Sequence, residues 1–111
     1  MTLEEIGNIV ASADPAARHY YSTSTDGPYT VWQEYNQISA PGDDGRTITD
    51  ENPEELGWAF QVERYTSVEF DPIAQRIRNA LLAAEGVAFR YMVDFDPQTK
   101  VIRHLFDCEG I

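Results

Sequence analysis

Cysteine, basic side chains, histidine and long apolar runs are all scarce in this chain of 111 residues, and each scarcity removes a class of function. The single thiol, Cys108, can close no intramolecular disulfide and builds no zinc site by itself, a usage that fits an intracellular site of assembly. Eight Lys and Arg stand against 19 Asp and Glu, a formal net charge of -11, so the clustered cations that grip a phosphate backbone are missing. No apolar run approaches the ~20 residues of a membrane span, and no basic-then-apolar leader opens the chain, so neither embedding nor secretion by that route is expected. The two histidines, His19 and His104, lie in no HExxH frame, and neither GxxxxGK nor GxGxxG occurs. No catalytic residue, metal or cofactor is therefore expected.

What is present is a globular composition, 42% hydrophobic and 12% aromatic, in a length that suits one domain over residues 1–111. Asp71-Pro72 opens a helix in which Ile73, Ile77, Ala80, Leu81 and Ala84 form one apolar stripe, and Gly86 suits the position just past its end. Before it, Trp58 to Tyr65 alternates as a strand that gives the stripe a sheet to lie on. Thr2-Leu-Glu-Glu5 has the form of a capping box and predicts a short helix from Leu3 to about Ser12, ended by Asp14-Pro15, with Gly7 weakening it by ~1 kcal/mol relative to alanine. Arg18 to Ser22 and Tyr29 to Ile38 read as strands; in the second, Tyr29, Val31, Gln33 and Tyr35 make one mostly apolar face. Val87 to Phe95 has the strongest period-two pattern in the chain. Asp96 to Thr99 is a turn, and Lys100 to Asp107 a last strand with Ile102, His104 and Phe106 on one side.

The order predicts an α+β fold: a mostly antiparallel sheet of four to five strands, consecutive strands pairing, with one main helix on a face and a short N-terminal helix. Between the second and third strands, residues 41–56 form a long acidic loop or arm with turn-rich ends. Arg46, Thr47, Ile48 and Thr49 are the piece of it able to pair with something, and Glu54 and Glu55 add to its acidity. Residues 1–56 carry eleven acids and two bases, residues 57–111 eight and six, so the negative field sits in the first half.

Candidate chemistry loses to simpler readings. His104 with Cys108, or Cys108 with His19, would make a metal or nucleophile pair only with an oxyanion hole and an orienting group that nothing marks. Asp43-Asp44, Glu54-Glu55 and Asp94/Asp96 fit no calcium-loop frame and read as solvated loop charge. The aromatic residues Tyr20, Tyr21, Tyr29, Trp32, Tyr35, Trp58, Phe60, Phe89 and Tyr91 lack the basic neighbours of a base-stacking platform and read as core and subunit interface.

In element order and in short fragments the chain resembles the tail-completion, or tail-terminator, proteins of long-tailed bacteriophages. The matching pieces are Gly27-Pro28-Tyr29-Thr-Val-Trp32, Val62-Glu-Arg-Tyr65-Thr66, Ile73 to Leu82 with Gly86-Val87, and the Tyr91 to Leu105 hairpin with Asp96-Pro-Gln-Thr-Lys and Ile102-Arg-His104. The acidic 41–55 segment and the high aromatic content depart from that pattern. The resemblance implies a non-enzymatic virion protein, assembled in the host cytoplasm, that forms a ring of about six copies. Such a ring caps the tail tube, stops its polymerisation and docks the head-tail connector; its partners are itself, the major tail tube protein and connector proteins. DNA would pass through the lumen without specific binding, and Arg46 to Thr49 with Glu54 and Glu55 would serve the oligomer or partner interface. The rivals are a neck or head-completion protein, a small-ligand-binding α+β domain, and a small enzyme using Cys108.

Overall fold

A computed structural model describes residues 1–38 and 57–111. Among these residues two helices and five strands follow in the order α1 (Leu3–Ala13), β1 (Arg18–His19), β2 (Tyr29–Ile38), β3 (Gly57–Thr66), α2 (Pro72–Ala83), β4 (Val87–Asp96) and β5 (Val101–Gly110). The fold is α+β, and both helices lie on the same side of one five-stranded sheet.

The capping box forms as the sequence implies. The Glu5 N–H donates to the Thr2 hydroxyl at 3.1 Å, and the Thr2 N–H donates to the Glu5 carboxylate at 3.4 Å. Gly7 has a packing reason: a Cβ there would stand 3.2 Å from the Trp32 ring, so the missing side chain lets α1 press onto β2. At the start of α2, Asp71 accepts from the Ala74 N–H at 3.2 Å and Pro72 takes the first turn. At its end, Gly86 adopts φ +81° and its carbonyl accepts from the Ile111 N–H at 3.0 Å; a Cβ there would lie 2.4 Å from the Ile111 oxygen.

The sheet order is β1-β2-β3-β5-β4. Consecutive pairing was expected throughout, and it fails at one point: β3 neighbours β5, not β4. The crossover through α2 brings β4 in parallel to β3 and one strand away, and the tight hairpin then folds β5 into the gap, antiparallel to both. β1 is shorter than the predicted strand and runs parallel to β2, with Arg18 and His19 opposite Val31 and Trp32. It stops because Tyr20 turns to φ 73°.

One face of the sheet meets the helices. Phe60 and Val62 of β3, Trp32 of β2 and Phe106 and Cys108 of β5 close against Ile6 and Val10 of α1 and Ile77 and Leu81 of α2, all nearly solvent-free. Each Val, Ile, Leu and Phe of this set contributes roughly 1.5–3 kcal/mol on burial. The second strand departs from its pattern: Thr30 and Trp32 are buried, so Tyr29, Val31 and Tyr35 belong to the open face. An irregularity between Glu34 and Asn36 shifts the register there. The last strand also runs further than expected, to Gly110, which brings Cys108 into the core.

Candidate functional site

The residues singled out as an interface, Arg46, Thr47, Ile48, Thr49, Glu54 and Glu55, lie outside the described residues, as does the whole 41–56 loop. The catalytic alternatives are not brought together. Cys108 is buried, its thiol donates to the Phe106 carbonyl at 3.4 Å, and burial with the nearby Asp107 charge pushes its pKa up, away from a reactive thiolate. His19 sits on β1, three strand spacings from β5, or ~14 Å. It is stacked between Tyr20 and Trp32 and its Nε2 lies 2.8 Å from Glu34, which also accepts from the Tyr20 hydroxyl. Among the described residues no three of His, Cys, Asp and Glu converge on a common point, and no helix is long and apolar enough to cross a membrane.

Apart from this His19–Glu34–Tyr20 group, polar structure among the described residues is concentrated in two clusters. On the open face, Arg103 donates to Glu63 at 2.9 Å and to Asp94 at 3.2 Å, tying β5 to its neighbours on both sides. The Tyr65 hydroxyl also donates to Glu63, and burial followed by that hydrogen bond pushes the phenol up to about 12. Tyr35 donates to Asp107 at 2.6 Å and is likewise pushed up to about 12, chiefly by that bond.

The second cluster is buried between sheet and helix ends. Arg64 of β3 donates through Nε to Asp71 at 2.8 Å and through Nη1 to the Thr30 hydroxyl at 3.3 Å, and Asp14 lies 3.6 Å away. Asp14 ends α1 and Asp71 begins α2, so one guanidinium fastens both helix termini to the central strand. Burial raises the Asp71 pKa, but the Arg64 hydrogen bonds and charge, with the Ala74 and Ile73 N–H groups, outweigh it and hold the carboxyl below its ordinary value.

Opposite Arg64 on β5 is His104. Its Nδ1 lies 2.6 Å from the Tyr91 hydroxyl, and its Nε2 is buried with no hydrogen-bond partner among the described residues. Desolvation lowers its pKa, the Arg64 charge adds to this, and Asp71 opposes it. The folded pKa is below the unfolded ~6.5, so the unfolded chain takes the proton first. The stability His104 contributes is present above about pH 6.5 and is lost as pH falls through the folded value. Thermal unfolding should show wild type losing stability as pH falls below about 6.5, and His104→Leu losing less over the same range.

Most of the exposed apolar side chains gather at the sheet's two edges and at the entry to α2; Leu82 near the end of α2 and Ile111 are exposed as well. Along edge strand β4, Tyr91, Met92, Val93 and Phe95 are all exposed. Beside them Phe70 is 92% exposed and holds φ 58°, a left-handed conformation that costs roughly 1–2 kcal/mol for a residue with a Cβ. Phe70, Pro72, Arg78, Tyr91 and His104 border an open groove of about 360 Å³. At the opposite edge Tyr20, Tyr21 and Tyr35 are exposed.

Sequence reasoning found neither cluster. One signal was available: in Trp58, Phe60, Val62, Arg64 the arginine occupies an inward position of an apolar alternation, which demands a buried partner. Phe70 carried none, because its exposure follows from backbone geometry.

Fold and surface together define a small α+β sheet protein whose two edges are both open among the described residues. Comparison with protein families found no match, and comparison with curated proteins found none either. Among solved structures, a chain of the virion of a native gene transfer agent particle is similar, with a TM-score of 0.59 and 14% identity over 91% of this chain and 81% of that chain. At that identity the similarity is one of fold.

Proposed function

We propose that this chain is a structural, non-enzymatic protein of a phage-like virion and, within that class, a tail terminator: a ring subunit that caps the tail tube, ends its polymerisation and joins it to the head connector. The observation that carries this reading is the likeness of nearly the whole fold to a virion chain, taken with the fragments that resemble tail-completion proteins. The surface is consistent with it. Apolar side chains are exposed along a ten-residue edge strand rather than lining an enclosed cavity, an arrangement suited to other chains. The net charge of -11 suits a lumen through which DNA passes without sticking.

The test is electron microscopy of particles assembled with and without this gene product. Its loss should give overlong tubes unattached to heads. Tubes of normal length beside unjoined heads would move the chain to the head side of the neck, and normal particles would remove the virion role altogether.

A further inference from the structure

We infer that copies of this chain join head to tail, with the α2–β4 edge of one copy set against the α1–β1–β2 edge of the next. The inference rests on the ring reading above and assigns the surfaces that would make the ring.

The sheet topology supplies the first reason. β4 and β1 stand at opposite ends of the sheet, and among the described residues all ten residues of β4 have β5 as their single strand neighbour. At the other end, β1 covers only Val31 and Trp32, so among the described residues the outward row of β2 beyond Trp32 is unpaired. Unpaired rows of N–H and C=O groups are templates for another strand. Direction is compatible as well. β4 runs opposite to β5, β5 opposite to β3 and β3 opposite to β2, so β4 is antiparallel to β2. When the two edges of successive copies meet with their helices on the same side, the alternation continues across the contact in the more stable antiparallel sense.

Charge supplies the second reason. The helices pack on each other across one face of the sheet, α1 with Gly7 against Trp32 of β2 and α2 beside β4, so α1 is the helix nearer the β1–β2 edge and α2 the one nearer β4. α1 exposes Glu4 and Glu5 and carries no basic residue, whereas α2 exposes Arg76 and Arg78 and carries no acidic one. Neither arginine has an ion-pair partner among the described residues. Head-to-tail contact sets the basic helix of one copy toward the acidic helix of the next. A two-fold contact between like edges would instead oppose arginine to arginine or glutamate to glutamate, which disfavours it. Both edges also present apolar surface, Tyr91, Val93 and Phe95 at one and Tyr20, Tyr21 and Tyr35 at the other. A contact between two different patches closes as a ring or runs on as a filament, and does not stop at a dimer.

A charge-swap experiment tests this. Arg76→Glu/Arg78→Glu makes the α2 edge acidic, and Glu4→Lys/Asn8→Lys makes the α1 edge basic; all four positions are exposed and lie outside the capping box and the core. Circular dichroism of each variant checks that the fold is kept, and light scattering after size exclusion reads the assembly. Each variant alone should self-associate at least ~10-fold more weakly than wild type, because like charges now face each other across every contact. An equimolar mixture should recover the oligomer, since both kinds of contact in an alternating array are again between opposite charges. Wild-type assembly that neither variant weakens, or weakening that the mixture fails to relieve, overturns the inference and leaves the ring reading standing. A wild type that stays monomeric at millimolar concentration overturns both.

Discussion

Replacing Arg64 with methionine is expected to cost about 3–5 kcal/mol of folding stability, because it leaves Asp14 and Asp71 buried without their cation. Both carboxylates and the guanidinium are at least nine-tenths buried. Bringing such groups together from water is not strongly stabilising in itself, whereas breaking the set strands charge in a low-dielectric site. The damage should therefore be electrostatic more than steric. Adding Asp14→Asn and Asp71→Asn to the Arg64→Met background removes the stranded charges while keeping side chains that still cap, and should recover part of the loss. Urea unfolding of the three proteins decides it: equal losses in the single and triple variants would show that packing of the arginine stem, and not its charge, matters. The same cluster adds to the loss of stability in acid. Because the folded Asp71 pKa lies below the unfolded ~3.9, its contribution is complete above about pH 4 and is lost as pH falls through the folded value.

The elements were largely legible in the sequence because local rules decide them. The Thr2 capping box, Asp71-Pro72, Gly86 and the alternation from Val87 to Phe95 each act within a few residues, and each appears where the pattern placed it. Strand order was not legible at β4. Alternation says that a strand has two unlike faces, but not which neighbour it has; the insertion of β5 beside β3 follows from the crossover and the hairpin together. Nor does alternation say which face is buried. In β2 the more aromatic side, Tyr29 and Tyr35, is the open one, and it is Thr30 and Trp32 that are buried, Trp32 against Gly7 and His19. The strongest alternation belongs to an edge strand with only its first residues partly covered, so a clean apolar pattern marked a surface awaiting a partner as readily as a core. The interface residues proposed from the 41–56 segment lie outside the described residues, whereas the edges assigned to assembly could be recognised only once the sheet order was known.

Two phenylalanines separate stability from assembly. Phe60 is fully buried in the middle strand, between the helices and β5, with its ring 3.3 Å from where a Cβ on Gly110 would be. Phe60→Ala should cost about 3–5 kcal/mol, the transfer of the ring plus a cavity that the surrounding strands, held on both sides by ladder hydrogen bonds, cannot close. Phe95 lies on the same face of the sheet, opposite Ile102, but beyond the helices and 56% exposed. Phe95→Ala should change stability by within about 0.5 kcal/mol, as surface substitutions do. If the β4 edge docks a second copy, the same change removes a large apolar contact from that interface, so self-association should weaken ~10-fold while the unfolding midpoint hardly moves. Unfolding and association measured on the same two variants give opposite orderings in that case. A Phe95→Ala protein that is as stable as wild type and assembles as well would mean that the exposed end of β4 takes no part in joining copies.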